Sequence, residues 1–216
     1  MLLDAEQNSI AQFFDDCALQ GFMREFTPEE CGKLPAFLER WDIRPGHRVL
    51  EPGCGSGRLT PFLSRAAGRE GAITAIDLSP EMARQAARVG AVERGDERTG
   101  QAAPVQVLLG SVYALPSADR SFDRVICCCV FPHFTRRLAA LREMARVLKP
   151  DGRLWISHFV GRQVLDSFHR DAHPDLIRHT LPCAREMGRL LKAAGLEAVE
   201  VFDGDDEYQV QAKGRE

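Results

Sequence analysis

Apolar and polar residues alternate along this chain in two rhythms, and the rhythm changes near residue 48. Before that point the spacing is helical. In "SIAQFFDDCALQGF", Ile10, Phe13, Phe14 and Cys17 fall three, four and seven apart, the repeat that lines one face of a helix. A second helical run opens at "TPEECGKLPAFLERW": Thr27 is placed to cap, Pro28 suits the first helical position, and Glu30 stands where a capping-box partner reaches back. Residues 1–41 are predicted to form a helical arm ahead of a domain spanning 42–216.

From Arg48 onward, short β-rich runs take turns with helix-like ones, the order expected of a parallel sheet covered by helices. Strands are predicted at "RVLEP" (48–52), "AITAID" (72–77), "VQVLL" (105–109), "FDRVICCC" (122–129) and "RLWISH" (153–158). Helices are predicted at 57–68, 80–94 and 135–148, the last stopped by "KPDG". After a helix near 184–194, closed by Gly195, the runs "EAVEVF" and "EYQVQAK" are separated only by "DGDD". No crossover helix fits there, so the two must pair as a hairpin and the last strand runs antiparallel. The prediction is an α/β fold, a doubly wound sheet of seven strands that is mostly parallel with an antiparallel last strand, and residues 159–182 form a lid-like insertion.

Composition narrows the partners. The 28 Lys+Arg and 31 Asp+Glu residues leave a formal charge of −3 with neither sign in long blocks, so the basic footprint of a nucleic-acid binder is absent. The opening "MLLDAEQNSIAQFFDD" has no charged-then-apolar leader, and no 18-residue apolar span occurs, so no membrane association is expected. Seven cysteines, an odd number, point to reduced thiols and a cytoplasmic location. A small-molecule partner is expected; oligomeric state is left open.

The candidate chemistry starts at "VLEPGCGSGRLTPFL", which crowds Gly53, Gly55 and Gly57 between a strand and a helix, where open α/β sheets bind ligands. A dinucleotide fingerprint would need a third glycine at position 58, which is Arg58, and no Gly-Lys-Ser/Thr follows for a phosphate loop. Glu51 beside the glycines disfavours an anionic ligand and favours one carrying positive charge. An NAD(P)-dependent oxidoreductase is thereby disfavoured.

With these features the chain resembles the class I S-adenosylmethionine-dependent methyltransferases, especially the small-molecule branch. "VLEPGCGSGRLTPFL", "AITAIDLSPEMARQA", "GSVYALPSADRSFDRVICCCVFPHF" and "LREMARVLKPDGRLWISHF" are similar to that family's motifs in order, over roughly residues 48–213. The resemblance implies a Rossmann-like fold and S-adenosylmethionine as cofactor. It implies that the methionine part lies against Gly53, Cys54, Gly55 and Gly57, with Glu51 favouring its amino group and sulfonium. Asp77 would take both ribose hydroxyls, Leu78 and Val112 would flank the adenine, and Ser111 would accept from the adenine amino group. Ser111 is a departure, because the family usually has an acid there and a neutral acceptor is weaker.

The acceptor is less legible. Where family members that methylate exocyclic or amide nitrogens often carry Asn/Asp-Pro-Pro-aromatic, this chain reads "CVFPHF", which favours a small molecule over DNA or tRNA. His133 follows the fourth strand, His158 ends the fifth, and His169 and His173 lie in the insertion. One or more, with His133, His158 and His169 the first candidates, would act as general base on an acceptor hydroxyl or thiol. Several would alternatively gather a metal, or they are polar groups at helix and strand ends. In "CCC" at 127–129, strand alternation sends Cys128 to the face opposite Cys127 and Cys129, so three thiolates cannot converge while extended; Cys129 would border the cofactor. A non-catalytic cofactor-binding module on the same fold is the alternative from another class.

Overall fold

A computed structural model describes residues 3–22, 24–95, 101–172 and 176–214, the side chains of 91–95 excepted. The strands follow the order β3-β2-β1-β4-β5-β7-β6 in one sheet, and the chain divides into two compact units, Met1–Pro116 and Ser117–Glu216.

The first unit carries β1 (Arg48–Pro52), β2 (Ala72–Asp77) and β3 (Val105–Leu109), all parallel, with β2 in the middle. Its helices are α1 (Ala5–Leu19), α2 (Pro28–Trp41), α3 (Thr60–Ala67) and α4 (Pro80–Gly95). The capping box at α2 forms as the residues imply: Thr27 Oγ1 accepts from the Glu30 N–H at 3.2 Å, and Glu30 Oε2 accepts from the Thr27 N–H at 2.8 Å. Leu34, Phe37 and Trp41 on α2 are buried, as are Val49, Leu50, Leu63, Ile73 and Ile76.

Two expectations change here. The fully buried residues of α1 are Gln7, Ala11 and Ala18, whereas Ile10, Phe13, Phe14 and Cys17 are only half-buried. The helix is turned by polar ties: Gln7 Nε2 donates to Ser111 Oγ at 2.7 Å, and Asp15 Oδ1 accepts from the Ser79 hydroxyl and, at 2.9 Å, from the Glu81 N–H. Those same ties join α1 to the rest of the first compact unit, Met1–Pro116. Second, α3 begins at Thr60, because Gly53, Gly55 and Gly57 all have positive φ (70°, 56° and 87°) and the preceding loop cannot be helical.

The second unit carries β4 (Phe122–Cys128), β5 (Leu148–His158), β6 (Leu196–Asp203) and β7 (Tyr208–Gly214), with α5 (Arg137–Val147), α6 (Arg162–Ala172) and α7 (Ala184–Ala193). β4 and β5 are parallel; β7 is antiparallel to both β5 and β6, so the predicted hairpin is present, with its second strand lying between β5 and β6. β5 starts at Leu148, five residues before the run expected for it. Its register against β4 jumps from Phe122↔Leu148 to Arg124↔Arg153, so "KPDG" is absorbed as an irregularity within the strand instead of separating it from α5.

Candidate functional site

Glu51, next to last in β1, is buried, and its Oε2 accepts from the Thr60 hydroxyl at 2.7 Å. Burial pushes its carboxyl up to about 8 against the opposing pull of the Thr60 bond, and the Asp77 charge pushes the same way. The loop after it is pinned to the end of β2: the N–H groups of Gly53 and Cys54 both donate to the Ile76 carbonyl (2.7 and 3.1 Å), and the Gly55 N–H donates to Asp77 Oδ2 at 2.8 Å. Gly57 is close-packed, since a Cβ there would stand 2.9 Å from Ala86 Cα. A Cβ at Gly55 would meet nothing within 4 Å, so this part of the loop leaves backbone open to a ligand. A buried acid that ionises beside a cation, next to an open glycine backbone, fits a ligand that brings its own positive charge.

Asp77 sits at the end of β2 with both oxygens engaged, Oδ2 by Gly55 and Oδ1 by the Ser79 N–H at 2.9 Å. Each carboxylate oxygen has a second lone pair, so capacity for hydroxyl donors remains. Burial raises its pKa, while the Ser79, Gly55 and Leu78 backbone bonds oppose the rise. Leu78 is half-buried, and Val112 is buried beside Ser111. Ser111 Oγ accepts from Gln7 Nε2 and from the Tyr113 N–H (3.2 Å), leaving its own proton to donate. Cys54 is buried with Ala75 and Ala86, its N–H donating to the Ile76 carbonyl and its own carbonyl accepting from the Gly57 N–H, so its side chain contributes packing. Thr60, Gln7 and Asp15, which no motif singled out, join these groups to α3 and α1; the polar stripe on α1 was the available signal.

In the second unit the structure gathers His133, His158 and His169 and adds a fourth, His179. His133 Nδ1 lies 2.9 Å from His179 Nδ1, and the His133 ring centroid is 5.1 Å from those of both His169 and His179. His169 Nδ1 is hydrogen-bonded to the carbonyl of His179. Burial and the neighbouring imidazoles push His133 well below its ordinary pKa, and burial, with His169, pushes His158 down to about 3. His158 Nε2 is buried with no hydrogen-bond partner among the described residues. His173 lies outside the described residues. No group of three or more His, Cys, Asp or Glu among the described residues is arranged to hold a metal ion. Cys129 lies just past β4 with φ 57°. His179 sits seventeen residues before the start of β6, in a stretch where nothing periodic marks it.

Comparison with known proteins gives this arrangement its class. Residues 50–156 match a family model described as a methyltransferase domain. The chain is 34% identical over 174 residues to the methyltransferase GfsG of Streptomyces halstedii, covering 76% of this chain and 58% of that protein. It is 37% identical over 110 residues to the demethylmenaquinone methyltransferase of Staphylococcus aureus (strain MRSA252), covering 51% of this chain and 42% of that one. The chain thus spans about half the length of these curated relatives. Among solved structures, a SAM-dependent methyltransferase from Aquifex aeolicus superposes with a TM-score of 0.67 at 23% identity, covering 98% of both chains. The seven-stranded sheet is therefore a Rossmann-like methyltransferase fold. More narrowly, the chain belongs to the class I S-adenosylmethionine-dependent methyltransferases, and S-adenosylmethionine is its cofactor.

Proposed function

We propose that this protein methylates a small-molecule acceptor by in-line displacement, and that one of the clustered imidazoles takes the acceptor's proton. The cofactor supplies an electrophilic methyl group on a sulfonium. The chain's own residues bind and orient it: Glu51 holds the positive charge, Gly53, Gly55 and Gly57 carry the methionine part along the backbone, and Asp77 accepts from the ribose hydroxyls. Leu78, Ser111 and Val112 surround the adenine. Because displacement at methyl needs alignment and exclusion of water more than acid catalysis, these contacts are the larger part of the rate.

The observation that carries the acceptor side is the bond between His169 Nδ1 and the His179 carbonyl. A carbonyl only accepts, so Nδ1 carries a proton, and it is the uncharged form of this tautomer that has its basic lone pair at Nε2. His133 and His158, held neutral by burial, stand in the same cluster. Residues 159–182, which carry α6, His169 and His179, act as the acceptor-side lid. The near-neutral charge and a relative named for demethylmenaquinone support a small acceptor over a nucleic acid. No helix among the described residues is long and apolar enough to cross a membrane, and all seven cysteines are thiols, which supports a reducing cytoplasmic setting.

The test is incubation with S-adenosylmethionine carrying a deuterated methyl group and a fractionated cell extract. Label is expected in a low-mass product, and His169→Gln is expected to lose turnover while calorimetry shows unchanged cofactor affinity. Label confined to macromolecules would overturn the acceptor class, and binding with no labelled product in any fraction would leave the non-catalytic module.

A further inference from the structure

The three adjacent cysteines do not keep strand alternation to the end. β4 stops at Cys128, and Cys129 adopts a left-handed φ of 57° while its N–H donates to the Ser157 carbonyl at 2.8 Å. In an extended chain, neighbouring side chains leave on opposite faces; this turn instead brings Cys128 Sγ and Cys129 Sγ to 3.8 Å. Both residues are half-buried, whereas Cys127 is fully buried. From these observations we propose that Cys128 and Cys129 form a two-thiolate chelating site for a single soft trivalent centre, of which a monosubstituted organoarsenical, R–As(OH)2, is the class it takes.

The geometry favours a bridged atom over a sulfur–sulfur bond. Adjacent Cα atoms lie about 3.8 Å apart across a trans peptide, short of the roughly 4.4 to 6.8 Å that disulfides span. Two thiolates bound at about 2.3 Å to one atom lie at most about 4.6 Å apart and closer at the narrow angles of a pyramidal trivalent centre, so sulfurs 3.8 Å apart need only a small side-chain rotation to share one. A structural metal ion would want four donors, and no group of three or more His, Cys, Asp or Glu among the described residues is arranged to hold one. An organoarsenical needs only two, its third valence being filled by carbon. The cross-strand row Cys128↔Ser157↔Gln209 adds polar surroundings, Ser157 donating to Gln209 Oε1 at 2.7 Å while Gln209 Nε2 is buried without a partner among the described residues. In the binding step two As–O bonds break and two As–S bonds form. Each thiol proton leaves with a displaced hydroxide as water, and nothing is oxidised or reduced.

The experiment is titration of the whole protein with phenylarsine oxide in excess monothiol, read by intact mass and by thiol count. One equivalent is expected, consuming two thiols and released by a dithiol but not by the monothiol. Cys128→Ser and Cys129→Ser should each weaken binding by roughly a hundredfold or more, the loss expected when the second attachment is no longer intramolecular; Cys183→Ser should not. In wild-type protein, the bound arsenical should protect Cys128 and Cys129 from iodoacetamide, which keeps the proposal testable if a variant misfolds. Binding that survives both serine variants, or unchanged alkylation of the pair, overturns it. Neither readout depends on methyl transfer.

Discussion

Glu51 should couple cofactor binding to proton release. With its carboxyl pushed up to about 8 by burial, only about a tenth of the molecules carry the anion at pH 7 in the absence of ligand. A cationic ligand against the loop favours the anion, so binding at pH 7 should expel about nine-tenths of a proton from this group. Ionising it there costs about 1.4 kcal/mol, and affinity should rise close to tenfold between pH 7 and the plateau above pH 8. Calorimetric titration in buffers of different ionisation enthalpy counts the protons directly. Comparison with Glu51→Gln subtracts any contribution from the cofactor's own amino group. Equal proton release by wild type and Glu51→Gln would refute the reasoning, because the charge response would then lie elsewhere.

The same shift makes a stability prediction. Between 4.5 and about 8 the folded state binds more protons at Glu51 than the unfolded chain does, so this group's contribution falls as pH rises through that window. Glu51→Gln should therefore stabilise the cofactor-free protein above pH 8, by on the order of 5 kcal/mol at most, and change little below pH 4.5; a thermal melt at each pH checks it. His158 works in the other direction. Its folded pKa of about 3 lies below the ordinary 6.5, so the folded state binds fewer protons and stability should fall as pH drops from 6.5 toward 3; His158→Gln should flatten that slope in urea titrations. Asp77→Ala removes an acceptor for two backbone N–H groups and, on the proposed reading, for the ribose, and should weaken cofactor binding by ~1.5 to 3 kcal/mol in calorimetry. Gly57→Ala, with φ 87° and Ala86 Cα 2.9 Å from the added carbon, should cost ~2 kcal/mol or more in denaturant unfolding.

Much of the fold, and the loop of the candidate site, are legible in the chain itself. β1, β2 and β3 have the bounds read from their apolar runs, since a short run between turn residues in a parallel sheet has little freedom to slide. The glycine spacing, Glu51 and Asp77 could be read as a loop for a cationic cofactor because backbone permissiveness and charge are properties of residues. The start of β5 was not legible, because an irregular strand keeps its pairing through "KPDG", whose composition signals a turn.

What only the tertiary structure decided lies in contacts between distant segments. The inward face of α1 is set by Gln7 on Ser111 and Asp15 on Ser79, hydrogen bonds across 104 and 64 residues that outweigh its apolar stripe. His179 joins His133 across 46 residues, and one left-handed residue at a strand end brings Cys128 and Cys129 together. Local pattern determines which face of the backbone a residue leaves from. Which distant polar groups then meet depends on how the elements pack, and burial there, more than residue type, determines that Glu51 is mostly protonated at pH 7 and His158 neutral.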